Sequence, residues 1–427
     1  MKNSVNKNSR LLIIAACITA LLLVSGSAWG ISLAELQKKA IENRKVVEKY
    51  RANVRKGELD KKISESRFMP SADISYVATK LDEDTLAEES ENSVFTGAIT
   101  YNVFSGFRDK YNVEFADLLK QSKDYELEGV LQDIKYSVAL RYLDIFGKQS
   151  RLKVAEDEYT LLKKRYKDAE NRHSVGLIRK NELLKLKVEL DDTQQSMKKA
   201  EAEFIKSVNR LEFETDSEVD DNILNFNEFN TVPEIKAFPF YESRMFEKRS
   251  EIKALEMVAL AKEVGVKTAQ SAYYPSVDVS GIYKRFEDGY ILGTGDDNED
   301  EIRLQLSVKM NLFDGFSKDN TVRKARWDMK SAGYDLYELR QHLRTDLKNL
   351  LLDYDVALKN LKVAESSISQ AEENLRITDI SFKEGVETAA DVLDAIFYLS
   401  RAKYNFINAR NGLFSDYYGL TRMTDDF

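Results

Sequence analysis

The alternation of apolar and polar positions is cleanest between Ile302 and Leu312. Ile302, Leu304, Leu306, Val308, Met310 and Leu312 fall on one side of an extended chain, with Arg303, Gln305, Ser307, Lys309 and Asn311 on the other. Successive side chains of a strand point to opposite faces, so a period of two predicts a strand. Three more segments share it. Phe95, Gly97, Ile99, Tyr101 and Val103 oppose Thr96, Ala98, Thr100 and Asn102. Val277, Val279, Gly281 and Tyr283 oppose Ser276, Asp278, Ser280 and Lys284. Ala72, Ile74, Tyr76 and Ala78 oppose Asp73, Ser75 and Thr79, with Val77 as the exception. The predicted strands cover about 71–80, 94–104, 276–286 and 302–313. About ten alternating residues is what a membrane-barrel strand needs. One such strand alone would fit a soluble sheet with a wet face. Four, with no second sheet to cover their apolar side, point to lipid.

Beyond the strands the period changes. Leu343, Leu347, Leu350, Tyr354, Ala357, Leu361, Ala364, Ile368, Ala371 and Leu375 advance in steps of four and three. That 3.5-residue repeat predicts coiled-coil packing with a left-handed supercoil. The positions 209 earlier are Ile134, Val138, Arg141, Ile145, Lys148, Leu152, Ala155, Tyr159, Leu162 and Tyr166, of which only Arg141 and Lys148 are charged. Long helices are predicted over about 107–172 and 316–382. Gly106 to Gly176, and Gly315 to Gly385, each span 70 residues, roughly 105 Å of helix. Rods of that length belong to a tube wall or a stalk, not to a compact domain.

The common offset comes from an internal duplication. Phe68-Met69-Pro70-Ser71-Ala72-Asp73-Ile74-Ser75 matches Tyr273-Tyr274-Pro275-Ser276-Val277-Asp278-Val279-Ser280 at a separation of 205. Asn102-Val103-Phe104-Ser105-Gly106-Phe107 matches Asn311-Leu312-Phe313-Asp314-Gly315-Phe316 at 209, and Gly176 falls on Gly385 at the same 209. The second copy therefore holds four extra residues between its two strands. The organisation expected is a first repeat over 31–230, a linker over 231–239 containing Pro233 and Pro239, and a second repeat over 240–427.

Residues 1–30 read as a secretory signal. Lys2, Lys7 and Arg10 precede the apolar run Leu11 to Val24 and the small-residue stretch Ser25 to Gly30. Ile14-Ala15-Ala16-Cys17 allows a lipoprotein signal as the alternative, but the apolar run continues past Cys17. Cleavage takes the net charge from −8 to −11 and removes the one Cys, which suits an oxidising compartment. No later stretch is apolar for long enough to cross a membrane as a helix, so insertion would have to use strands.

Composition narrows the chemistry. Two His and one Cys leave almost no material for a metal centre or a thiol nucleophile. No basic run with interleaved aromatics marks a nucleic-acid surface. The acidic loop Asp296 to Glu301 lacks the spacing of a calcium loop, and Ser307 stands where the bidentate Glu would be. His173 and His342 read as solvated or interfacial helix residues and not as an acid–base pair. The chain is expected not to be an enzyme and to carry no cofactor.

The duplicated Pro-Ser, Asn-x-Phe-x-Gly-Phe and Gly-containing helix turns resemble the TolC-like outer-membrane efflux proteins. So do the start Ile31-Ser32-Leu33-Ala34-Glu35-Leu36 and the run from Phe382-Lys383-Glu384-Gly385 into Asp391-Val392-Leu393-Asp394-Ala395. The resemblance covers residues 31–427. It implies an α+β membrane protein: a homotrimer whose four β-strands per subunit build a shared 12-stranded barrel in outer-membrane lipid, continued by a long α-helical coiled-coil tunnel across the periplasm. Four strands alone leave two open edges, so physics also asks for assembly.

The function implied is an outer-membrane exit duct for efflux or type I protein secretion, docking to a periplasmic adaptor protein and an inner-membrane transporter. In that family acidic residues narrow the tunnel entrance at the periplasmic tip. Asp391 and Asp394 match those positions, and Gly176, Gly385, Phe382 and Glu387 match the tip turns and adaptor contact. Phe382 and Glu387 replace a Tyr and an Arg that help to close the entrance elsewhere in the family, and the first-copy equivalents Glu182 and Lys185 do not repeat the Asp pair. A local reading of Asp391 stands beside the family one: Thr388-Ala389-Ala390-Asp391 has the form of a helix capping box. The alternative from another class is a periplasmic coiled-coil structural or adaptor protein without a pore.

Overall fold

The structure is a computed structural model of the chain, and it describes residues 31–84, 90–290 and 298–427. The expected signal segment with Cys17, and the start of the acidic segment Asp296 to Glu301, lie outside the described residues. The first repeat runs α1 (Leu33–Asn43), α2 (Lys45–Glu65), β1 (Ser71–Lys80), β2 (Glu91–Phe104), α3 (Arg108–Ser174) and α4 (Lys180–Thr215). The second runs α5 (Phe238–Lys248), α6 (Ser250–Gln270), β3 (Ser276–Asp288), β4 (Asn298–Lys309), α7 (Ser317–Lys383) and α8 (Ala389–Met423). Each repeat is thus two short helices, a hairpin, one 67-residue helix and a shorter returning helix.

The strands form one antiparallel sheet in the order β1-β2-β3-β4. Three strands depart from their expected bounds, β3 only by running on to Asp288. β2 starts at Glu91 because Thr79 and Lys80 extend the hairpin up to Asn92 and Glu91. β4 occupies Asn298–Lys309 and not 302–313. Lys309 pairs with Ser276, the first residue of β3, so residues 310–313 have no strand of this chain beside them. At its other end, Asn298 to Glu301 pair with Glu287 to Lys284.

The change from strand to long helix is made in two residues. Gly106 and Phe107 both adopt left-handed backbone (φ 65° and 67°), and so do Gly315 and Phe316 (67° and 69°). A left-handed Phe is costly, and aromatic packing offsets the strain. Phe107 stands edge-on to Phe104 and Tyr274, at 5.0 and 5.8 Å between ring centres, and Phe316 to Phe313 at 5.6 Å.

All ten positions of the 3.5-residue stripe on α7 are buried or half-buried, as are their ten counterparts on α3. The two charged members on α3 are answered by α4: Arg141 lies 3.8 Å from Glu214 and Lys148 4.0 Å from Glu203. The duplication also reaches features with no obvious motif. Helix α1 breaks from α2 at Arg44, and α5 from α6 at Arg249, both in non-helical backbone and 205 positions apart. Each break docks on the end of a returning helix. Arg44 pairs with Glu214, and Asn43 Nδ2 donates to the Thr215 carbonyl. Arg249 Nη1 donates to the Arg422 carbonyl, and Ser250 N–H to Asp425. Thr215 and Thr424, 209 apart, are both buried and both donate back up their helices, to the carbonyls of Leu211 and Leu420. Aromatic residues fill the centre of the first half, where Tyr142, Phe146, Phe226, Phe229 and Phe414 meet.

Candidate functional site

Two regions are the candidates: the sheet at one end and the helix turns at the other. In the sheet, the observed register sorts side chains by polarity across all four strands. Tyr101 lies opposite Val279, and Val279 opposite Leu306; Ile99 lies opposite Gly281, and Gly281 opposite Leu304. The other face gathers Thr96, Lys284 and Glu301, Thr100, Ser280 and Gln305, and Asn102, Asp278 and Ser307. Asn102 Nδ2 donates to Asp278 Oδ1 at 2.7 Å on that polar face. Among the described residues nothing covers the apolar face: Ile302 is 86% and Leu304 83% exposed. Six large apolar side chains from Ile302 to Leu312 left in water would be a strong aggregation surface. In a bilayer the same face is matched to its solvent. Among the described residues no helix is long and apolar enough to cross a membrane.

At the far end the long helices stop at paired glycine turns. Gly176 has φ 77° and Gly385 φ 79°, a conformation that favours residues without a Cβ. Leu177 N–H bonds back to the Arg172 carbonyl and Gly176 N–H to that of His173. Val386 N–H bonds to the Ser381 carbonyl and Gly385 N–H to that of Phe382. Both are Schellman turns, closing orphan carbonyls at a helix end. His173 Nδ1 adds a contact of 3.0 Å to the Ile178 carbonyl across the first turn. Leu177 and Val386 project from the turns and are more than two-thirds exposed.

The capping-box geometry is present at the start of α8. Thr388 N–H donates to Asp391 Oδ2 at 2.8 Å, the Thr388 hydroxyl donates to the same oxygen at 2.6 Å, and Asp391 N–H reaches Thr388 Oγ1 at 3.4 Å. Hydrogen bonds from the Thr388 hydroxyl, and then from its N–H, hold the Asp391 carboxyl below the usual range. A depressed carboxyl stabilises the fold above its unfolded pKa, and that contribution is lost as pH falls through the folded value. Thr388 is the N-cap of α8, and Thr388→Ala is expected to cost about 0.5–2 kcal/mol of local helix stability at pH 7. Hydrogen exchange over the first turn of α8 measures it, and the difference from the parent should shrink in acid as Asp391 protonates.

Asp394 makes no such contact and is exposed. It lines a groove of about 600 Å³ between α4 and α8, with Asn181, Leu184, Lys185, Val188 and Phe397. Lys185 and Asp394 thus share one groove without closing an ion pair. Phe382 and Glu387 go separate ways. Phe382 lies under the Arg172 guanidinium at 4.9 Å, joining the two turns, whereas Glu387 stays beside Asp391. A further cross-link was not visible in the sequence: Arg165 on α3 reaches Asp379 on α7 at 2.5 Å, and Lys383 reaches the other oxygen at 3.0 Å. Only the i, i+4 spacing of Asp379 and Lys383 could have hinted at it. Among the described residues no cluster of three or more His, Cys, Asp or Glu is arranged to hold a metal ion.

The model of the outer membrane efflux protein family matches residues 36–214 and 243–424, which are the bodies of the two repeats. The chain belongs to the outer membrane efflux protein family. This efflux protein is 20% identical over 405 residues to the outer membrane protein TolC of Vibrio cholerae serotype O1, a match that covers 92% of this chain and 90% of that one. Its fold is similar to the outer membrane protein VceC of Vibrio cholerae, at a TM-score of 0.78 and 15% identity over 92% of this chain and 95% of VceC. It is also similar to the CmeC outer membrane channel of Campylobacter jejuni, at 0.77 and 14% over 92% and 85%. The protein resides in the outer membrane, as its family does, and the exposed apolar face of its sheet suits lipid.

Proposed function

We propose that this outer-membrane efflux protein is a passive exit duct: a homotrimer whose shared barrel opens outward and whose helices form a tunnel reaching an inner-membrane transporter through a periplasmic adaptor. The observation that carries the reading is the sheet register. It gives one four-stranded sheet an apolar face, a polar face and two unpaired edges, mounted on helices of 67 residues. A closed ring of such sheets puts the apolar side in lipid and the polar side around a water-filled lumen. A pore-free coiled-coil adaptor has no use for an apolar sheet face of this kind. The chemistry of the tip supports an acidic entrance, with Asp394 free to face the axis and Asp391 supplying charge while it caps α8. The exposed Leu177 and Val386, on the turns of Gly176 and Gly385, are the contacts offered to the adaptor. Efflux of small molecules and type I protein secretion are both consistent with such a tunnel.

Membrane fractionation together with native mass spectrometry in detergent tests this reading. The expected result is recovery with the outer membrane at the mass of three chains. A soluble monomer in the periplasm would overturn it.

A further inference from the structure

The internal duplication makes one seam of this chain visible and predicts another. Inside the chain the two repeats meet where β2 pairs with β3 and α3 lies along α6. β1 and β4 are the outer edges. If identical chains form a ring, β4 and α7 of one copy must meet β1 and α2 of the next. Those elements are the repeat equivalents of β2, α3, β3 and α6, offset by 209 on one side and 205 on the other.

We infer that the seam between copies repeats the internal seam contact by contact, and that Asn311 of one copy hydrogen-bonds Asp73 of the next, with ion pairs Lys324–Asp60 and Glu338–Lys45 below it. This rests on the ring assembly proposed above. Three observations support it.

First, the internal hydrogen bond from Asn102 to Asp278 translates to Asn311 and Asp73. Asn311 and Asp73 are both exposed here, and the Asn311 carbonyl oxygens are taken by Lys318, which leaves the amide N–H to donate outward. The same translation sets Lys309 opposite Ser75 and Val308 opposite Tyr76, which keeps each face uniform, and it gives residues 310–313 the strand neighbour they lack within one chain.

Second, a Cβ on Gly106 would lie 2.5 Å from the Ser271 carbonyl and 2.9 Å from Tyr274, whereas one on Gly315 meets nothing in its own chain. The equivalent turn, Ser66 to Met69 of the next copy, is the matching surface. Third, the internal helix contacts become charge-complementary. Gly129 faces Ser250 and Phe115 faces Gly265 inside the chain. Their equivalents are Glu338 with Lys45 and Lys324 with Asp60. All four are exposed, and none forms an ion pair among the described residues. Opposite charges at both translated positions are what a seam between copies requires.

Paired cysteines test this on the full chain, whose one native Cys17 lies in the expected signal segment. Asp73→Cys with Asn311→Cys should give a covalent ladder up to three chains on mild oxidation, while either substitution alone stays monomeric under denaturing electrophoresis. Asn102→Cys with Asp278→Cys should close within one chain and leave its mass class unchanged. Absence of the ladder, with the internal control closed and the native mass at three chains, would overturn the seam and leave the duct standing. A native mass of one chain would overturn the ring itself. Independently, Lys324→Asp should reduce the fraction of assembled protein several-fold, and adding Asp60→Lys should restore it. Failure of that charge swap to restore assembly would also count against the seam.

Discussion

Arg422→Met lowers the stability of the folded chain by about 3–5 kcal/mol, the range for removing one partner of a buried ion network. The side chain is 6% exposed. Its guanidinium meets Asp133 on α3 at 2.7 Å and closes further ion pairs with Glu251 on α6 and Asp425 beyond α8. Without it, the buried Asp425 carboxylate loses its ion-pair partner beside the half-buried Glu251, while Asp133 remains open to water. Burial pushes the Glu251 carboxyl up, but Arg249 and Arg422 outweigh it and hold the group below its usual value. The Asp426 carboxyl nearby is affected likewise: burial raises it, and bonds from Arg244, Thr424 and Lys248 bring it to about 2. Both folded values lie below the unfolded ones. Their stabilisation is therefore present at neutral pH and is lost as pH falls, for Asp426 between about 4 and about 2. Thermal unfolding in detergent, followed by circular dichroism, measures the substitution. Arg51→Met, which removes an exposed pair with Glu48, serves as the contrast at about 0–1 kcal/mol.

Replacing Asp391 and Asp394 together with Ala abolishes most of the cation preference of the assembled channel. In the proposed homotrimer six carboxylates would crowd one opening, and a ring of like charge attracts counter-ions of the other sign. That crowding would work against the downward pull that Thr388 exerts on the Asp391 carboxyl within each chain. Asp394, which has no such cap, is expected to set the selectivity. Asp394→Asn alone should remove more of it than Asp391→Asn, whose main effect is on the start of α8. Reversal potentials in planar bilayers under a salt gradient report the result. Unchanged selectivity in a correctly assembled double variant would remove the acidic entrance from the account.

Much of this was legible before the structure. The period-two stripes named the lipid face because a strand cannot shift by one residue without turning that face inside out. The 3.5-residue stripe from Leu343 to Leu375 needed only helical geometry, and the form Thr388-x-x-Asp391 carried its own cap. What stayed hidden depends on contacts between distant parts of the chain. The end of β4 at Lys309 is fixed by where β3 begins, which no local pattern records. Arg44 and Arg249 break their helices without a Gly or Pro at the break, and are recognised through the 205-residue offset once both breaks are seen. Arg422 and Asp133 are 289 positions apart, and Arg172 meets Phe382 between two separate turns. The cap that Thr388 and Asp391 form was legible, whereas the groove that Asp394 shares with Lys185 was not, because it depends on how α4 packs against α8.

In the proposed assembly, four-stranded sheets close around a water-filled lumen. Single-channel recording of the purified assembly in a planar lipid bilayer tests that most directly. The expected result is discrete, uniform conductance steps that favour cations, from protein whose mass corresponds to three chains. Insertion of that same assembly with no conductance above the bare bilayer at any voltage would contradict it.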